Sequence, residues 1–221
     1  MKITKYNQST LLLDTKGLRI LIDPSSIGYT EKMLEEWINI DIILITHKHP
    51  DHCSIEAINQ IVKRDSAVVY TTKEVSDKYD LKCRIVASSN TYQFKDILIE
   101  VTEAVHGYLT GMRENDNEIK ENVGYIIDDG DTRLYTTSDT INFYNEYKCD
   151  VLCMPFNGNG LTMGLFDGLG FVKGIKPKLL LPIHMQHPLP FMNPDLNELR
   201  KMLDEEKINY VVMGVNESIE F

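Results

Sequence analysis

Thr46-His47-Lys48-His49-Pro50-Asp51-His52 is the stretch on which the reading of this chain turns. Three of the six histidines and one carboxylate fall inside it. The four residues ahead of it, Ile42 to Ile45, are all Ile or Leu and predict a short buried strand. Behind it, Ser54 and Glu56 accompany Ile55, Ile58, Ile61 and Val62, which predicts a helix with Ser54 as N-cap and an acid in its first turn. The cluster therefore belongs to a loop that leaves the C-terminal end of a buried strand and enters a helix. In open α/β sheets that edge is where ligands bind.

Spacing carries the chemistry. His47 and His49 are two residues apart, so in an extended segment both side chains leave on one side and can grip one cation. Pro50 turns the chain, which lets Asp51 and His52 face a second cation nearby. Imidazole and carboxylate suit zinc, and also manganese or iron. Three further ligand-type residues repeat the placement. His106 follows the run Ile97 to Val105, Asp139 follows Thr132 to Thr137, and His184 follows Leu179 to Ile183. Strand ends on one sheet edge converge although far apart in sequence, so all three are metal candidates. His187 competes with His184 for the last place. His184 directly follows the buried run, whereas His187 lies beyond it and before Pro188. A ligand needs a fixed backbone, which assigns His184 to metal and His187 to the pocket rim.

Working outward, the chain reads as alternating strands and helices. Strands are expected over Ile3 to Tyr6, Leu11 to Asp14 and Leu18 to Ile22, with a hairpin turn at Lys16-Gly17 and a stop at Asp23-Pro24. A helix is expected over residues 30 to 38, with Met33 and Trp37 in the core. After the motif come a strand from Ala67 to Thr71, a short helix from Lys73 to Tyr79, and strands at Arg84 to Ala87, Tyr92 to Phe94 and Ile97 to Val105. Residues 107 to 122, with Arg113, Asn115, Asp116 and Asn117, read as a loop beside the site. Val123 to Asp128 and Thr132 to Thr137 form a hairpin around Asp129-Gly130-Asp131. A short helix is expected over 141 to 147 and a strand over Asp150 to Met154. A glycine-rich loop at Pro155-Phe156-Asn157-Gly158-Asn159-Gly160 precedes a helix capped by Thr162, with Met163, Phe166, Leu169 and Val172 inward. A last helix is expected with Asn193 as N-cap, and strands at Tyr210 to Met213 and Glu217 to Phe221.

Composition bounds the function. The 221 residues are 43% hydrophobic and 25% charged, with a formal net charge of -10, and an acidic balance disfavours nucleic acid as partner. No apolar run approaches the ~20 residues of a membrane helix. Cys53, Cys83, Cys149 and Cys153 have no framework spacing and read as reduced core thiols. Met1 opens on a strand-like stretch without a signal-peptide pattern, so a cytoplasmic protein is expected. No linker or repeat interrupts residues 1–221, which predicts one domain; a homo-oligomer is left open.

His-x-His-x-Asp-His after an apolar strand resembles the signature of the metallo-β-lactamase superfamily. Within it the chain resembles the small metal-dependent hydrolases related to L-ascorbate-6-phosphate lactonase. Pro155 to Gly164, with Thr162-Met163-Gly164, and Pro182-Ile183-His184 are similar to segments of that group, so the resemblance spans nearly the whole chain. It departs at Met185, where relatives often carry an aromatic residue. The resemblance implies an α/β fold, a four-layer αβ/βα sandwich with two metals at its edge. It implies that His47, His49 and His106 hold the first metal, that Asp51, His52 and His184 hold the second, and that Asp139 bridges. Two divalent ions would bind a water and lower its pKa, so hydroxide is available near neutral pH. Asp51 and Asp139 are then the catalytic candidates, Asp51 also as proton acceptor. His187, Asn157, Gly158 and Asn159 are candidate substrate contacts, with the loop amides cradling an anionic group. The function expected is hydrolysis of a small, anionic ester, lactone or phosphoester. A phosphodiesterase or nuclease of the same fold is the alternative. A diiron oxidoreductase, which would call for glutamate at His49, and a non-catalytic binding protein stand behind it.

Overall fold

The computed structural model describes residues 1–109, 117–144 and 146–221. Alternation within single strands builds its layers. In β2 (Leu11–Thr15), Leu11 and Leu13 point into the space between two sheets, while Leu12 points to the opposite face. In β4 (Ile42–Leu44) the same split separates Ile42 and Leu44 from Ile43. Strands apolar on both faces must be covered on both faces.

Among the described residues the first sheet runs in the order β13 (Glu217–Glu220), β1 (Lys2–Lys5), β2, β3 (Leu18–Ile22), β4, β5 (Val68–Thr71), β6 (Arg84–Ile85). The second runs β12 (Leu179–Ile183), β11 (Val151–Pro155), β10 (Arg133–Thr136), β9 (Val123–Asp128), β8 (Ile97–Glu103), β7 (Thr91–Phe94). The inner faces of the two sheets share one core, in which Ile20, Ile22, Leu44 and Tyr70 meet Ile99, Tyr125, Leu134 and Leu181. The outer face of the first sheet is covered by α1 (Glu31–Glu36), α2 (Ile55–Asp65) and α3 (Lys73–Tyr79) through Met33, Ala57, Ile58, Ile61 and Val75. The outer face of the second is covered by α4 (Leu165–Ile175) and α5 (Leu196–Glu205) through Phe171, Val172, Ile175, Leu199 and Leu203. The layer order is helix, sheet, sheet, helix, the αβ/βα sandwich expected. No helix among the described residues is long and apolar enough to cross a membrane.

Strand direction places the site. β3, β4 and β5 are parallel neighbours. β8 and β10 are both antiparallel to β9, and β11 and β12 are parallel to β10. So β8, β10, β11 and β12 all end at one edge. The residues just past those ends are His106, Asp139, Asn157 and His184.

Five expectations fail, three of them because side chains take backbone groups that regular structure would use. No helix forms over the described part of 141–147. Instead Thr140 Oγ1 accepts the N–H groups of Val105 and Asn142 at 2.9 and 3.0 Å, and Asn142 Oδ1 accepts that of Tyr144 at 3.0 Å. Thr162 does not cap α4, whose N-cap is Gly164; its hydroxyl accepts from Gly158 N–H at 3.0 Å. Phe166, expected inward, is exposed. Asn193 does not cap α5; Asp195 does, and Asn193 clamps the backbone of His187 through both ends of its amide. Tyr210 to Met213 makes only an isolated parallel bridge from Tyr210 to Leu180.

Candidate metal centre

The motif loop is shaped by its own backbone. His52 N–H and Cys53 N–H both donate to the carbonyl of His49, at 3.0 and 2.9 Å, which closes a turn around Pro50. Ser54 N–H donates to Pro24 O, and the Ser54 hydroxyl accepts from Ala57 N–H as the cap of α2. Alternation sends Lys48 away from its neighbours His47 and His49. Its ammonium pairs with Glu74 at 2.9 Å, and Tyr79 OH donates to its carbonyl.

The candidate ligands converge. Ligand atoms of His47, His49 and His106 lie within 4.8 Å of one another, and so do those of Asp51, His52 and His184. His47, His52 and Asp139 form a third such group. One atom joins the two sides: Asp139 Oδ2 is 3.4 Å from His52 Nε2, 3.8 Å from His106 Nε2 and 3.6 Å from His184 Nε2. His47 Nε2 is 3.2 Å from His49 Nδ1, and His184 Nε2 is 3.0 Å from Asp51 Oδ2. Asp139 Oδ1 and His52 Nε2 are buried without a hydrogen-bond partner. Two buried polar atoms left open on one shared space, ringed by imidazoles and carboxylates, fit divalent cations.

The outer nitrogens are committed elsewhere, which turns the inner ones toward that space. His106 Nδ1 donates to Gly107 O at 2.7 Å. His49 Nε2 donates to Asn117 O at 2.8 Å. His47 Nδ1 lies 3.0 Å from the Thr46 hydroxyl and 3.4 Å from that of Ser138. His52 Nδ1 donates to Asp23 Oδ2 at 2.8 Å, and the Asp23 carboxylate also accepts from Thr46 N–H and Oγ1–H. Asp23 is fully buried, and sequence reasoning gave it only the end of a strand. The signal that could have found it is the one used for His184: a ligand-type residue directly after a buried run. Asp23, Ser138 and His184 have φ of 44°, 61° and 60°, a region that non-glycine residues enter at a cost and that clusters at functional sites.

Electrostatics separates the ligands. Burial, then the neighbouring imidazoles, pushes His47 well down and His49 to about 4. Burial alone would also lower His52 and His184. It is outweighed by Asp139 and Asp23 around His52, and by Asp139 and Asp51 around His184, so both are raised. Burial would raise Asp51 and Asp139. The hydrogen bond from His184 and the field of His52 hold Asp51 below the usual carboxylate range, and the fields of His184, His52 and His106 do the same for Asp139. Ionised carboxylates beside neutral imidazoles are the state a cation requires. For His52 and His184, a cation would take the place of their extra proton.

A cavity of about 300 Å³ opens onto these groups. His49, Asp51, His106, Asp139 and His184 line its floor, with Ile27, Pro50, Leu161 and Met192 on its walls. His187 and Asn157 also line it. Gly158 and Asn159 do not, and the Gly158 amide expected to cradle an anion is spent on Thr162 Oγ1 and Met163 O. Asn159 Nδ2 donates to Phe191 O at 2.7 Å. Cys53 is buried in the α2 layer, where burial pushes its thiol up to about 12, the behaviour of a packing residue. Of the polar loop, Asn117 reaches the site; Arg113, Asn115 and Asp116 lie outside the described residues.

A family model described as a β-lactamase superfamily domain matches residues 2–184. A metal-dependent hydrolase of Carboxydothermus hydrogenoformans is 29% identical over 211 residues, covering 90% of this chain and 91% of its own. Another, from Archaeoglobus fulgidus, is 27% identical and covers 100% of this chain and 99% of its own. A metallo hydrolase of the archaeon Ignicoccus hospitalis superposes with a TM-score of 0.80 at 23% identity, over 100% of this chain and 98% of its own, a likeness of fold. With a match that takes in every strand but β13 and every candidate ligand, the chain belongs to the β-lactamase superfamily domain family.

Proposed function

We infer that this metal-dependent hydrolase works with two divalent cations on a small ester, lactone or phosphoester, residues 1–221 acting as one domain. The observation that carries the reading is Asp139 Oδ2, within 3.4 to 3.8 Å of imidazoles from both ligand groups. His47, His49 and His106 would hold one cation, and Asp51, His52 and His184 the other, with Asp139 shared. Zinc is the expected ion, and manganese or iron suit the same donors. Bound there, divalent ions supply a water acidified toward neutral pH and a Lewis acid for the substrate oxygen. Asp51, ionised and at the cavity floor, is placed to take a proton. His187 Nδ1 accepts from Leu189 N–H at 3.1 Å, which leaves the proton of a neutral ring on Nε2 as a donor in the cavity that His187 lines. Asn157 positions instead: its Nδ2 donates to the carbonyls of His184 and Met192.

The walls rank the substrates. Among the described residues no Lys or Arg lines the cavity, and Ile27, Pro50, Leu161 and Met192 do. Any anionic group is then met by the cations, and carboxylic esters and lactones stand ahead of phosphoesters. The phosphodiesterase or nuclease reading ranks below for the same reason. Elemental analysis of the purified chain, with a panel of lactones, aryl esters and phosphodiesters assayed before and after chelation, tests this. Two ions per chain and lactone or ester turnover that chelation abolishes and metal restores are expected. At most one ion at saturation, or turnover indifferent to chelation, overturns it.

A further inference from the structure

The turn between β1 and β2 has no part in the chemistry above, yet Gln8, Ser9 and Thr10 are all fully buried. Gln8 sits at φ 54°, a conformation that persists in a non-glycine residue only when its surroundings hold it. What surrounds it is the second ligand group. The Gln8 carbonyl accepts from His184 N–H at 2.9 Å. Gln8 Nε2 donates to Gln186 O at 3.0 Å. The buried Lys5 ammonium donates to Gln186 Oε1 at 2.7 Å and to Tyr6 O at 3.0 Å. Thr10 Oγ1 donates to the carbonyl of Asp23 at 2.5 Å and accepts from Ser25 N–H at 2.9 Å.

Beyond the turn itself, these bonds end on the backbone of His184, on the backbone and side chain of Gln186, and on the backbone of Asp23 and Ser25. His184 is a ligand candidate, and Asp23 orients His52. His184 belongs to the cation position of Asp51, His52 and His184; Asp23 touches His52 of that position directly and reaches His47 of the other only through the Thr46 hydroxyl. The His184 backbone is itself left-handed at the end of β12, so the direction of its ring depends on what holds its N–H and the residues after it. We propose that the buried Lys5–Thr10 turn, through Gln8 and Lys5, is a positioning device for the second cation site. It fixes His184 directly and His52 through Asp23, and it sets the affinity of that site separately from the first. The inference rests on the two-cation reading above.

The test is zinc titration of the full-length chain in competition with a chromophoric chelator, for wild type, Gln8→Met and Gln186→Met. Gln8→Met keeps the volume and removes a buried Oε1 that has no partner together with the Nε2 bond, so the fold is little affected. Gln186 is only partly buried, and its variant carries the test should Gln8→Met fail to fold. Loss of such an orienting contact should weaken the second zinc about 10- to 100-fold and leave the first within about twofold. Leu203→Ala, in α5 and remote from the turn, is the control for general destabilisation. It should lower the thermal midpoint without the selective loss. A second site weakened as much by Leu203→Ala, or unchanged in both glutamine variants, overturns the proposal alone. A wild-type chain that takes up a single zinc overturns both it and the two-cation reading.

Discussion

At the scale of single residues, Asp139 and Asp23 make the sharpest contrast. Asp139 touches imidazoles of both ligand groups, so Asp139→Ala should abolish most hydrolysis and release at least one ion, by activity assay and elemental analysis. Full activity with both ions retained would leave Asp139 a turn residue. Asp23 reaches the site only through His52 and Thr46. Asp23→Ala should therefore weaken cation binding by about 10- to 100-fold rather than abolish it. His184→Ala should lose an ion and nearly all turnover, while His187→Ala should keep both ions and change KM or kcat modestly; metal titration of the pair reads the difference. Lys5 predicts a pH effect. Burial lowers its ammonium from 10.5 to about 8 against the pull of Glu217. A lysine lowered by folding costs stability where it is charged in both states, below about 8, and the cost fades as pH rises toward 10.5. In the chelated protein Lys5→Met should gain at most about 3 kcal/mol near neutral pH, and denaturant titrations should show the gain shrinking at high pH. The convergence of the seven candidates was legible because each is a metal-binding residue type in the motif loop or just past a strand-like run. Asp23 was not, because Asp-Pro after a strand is also how strands ordinarily end.

At the scale of elements, legibility followed burial. Val123–Asp128 and Leu179–Ile183 form with the bounds that their apolar patterns predict. The misses lie where local polar bonds compete: Thr140 and Asn142 unmake a helix, and Thr162 closes a loop instead of capping one. Pattern reading sees periodicity, and these outcomes depend on which backbone donor a hydroxyl or amide happens to reach. The loops themselves are held by close backbone approach. A Cβ on Gly107 would meet Gly160 O at 1.9 Å and backbone carbons of Gly160 and Leu161 at 2.6 Å. Gly107→Ala should therefore push the loop after β8 off the 158–161 loop and displace His106. The expected result is a weakened first cation site, with Asp51, His52 and His184 less affected. Zinc titration of the variant checks it; unchanged affinity at both sites would mean the loops yield without moving the histidine.

At the scale of the whole molecule, the ligands come from both halves of the sandwich. His47, His49, Asp51 and His52 leave the first sheet, and His106, Asp139 and His184 leave the second. On the two-cation reading, cations held between them would favour the folded state by mass action, about 4 kcal/mol per site at a thousandfold excess over Kd. Chelation should thus lower the thermal midpoint, and amide exchange should quicken first at the strand ends that carry the ligands. The same arrangement has a consequence for load. Between the sheets the core contact is side chain against side chain, and the backbone bonds from Val123 N–H to Thr46 O and from His184 N–H to Gln8 O, at 3.3 and 2.9 Å, cross the seam beside the ligands. Ions that take ligands from both sides act as rivets at one end of that seam. Stretched in an optical trap between attachment points on α2 and α4, the ion-loaded chain should rupture at higher force than the stripped one. The stripped chain should give way at lower force, starting at the ligand edge, like a hinge with its pin drawn.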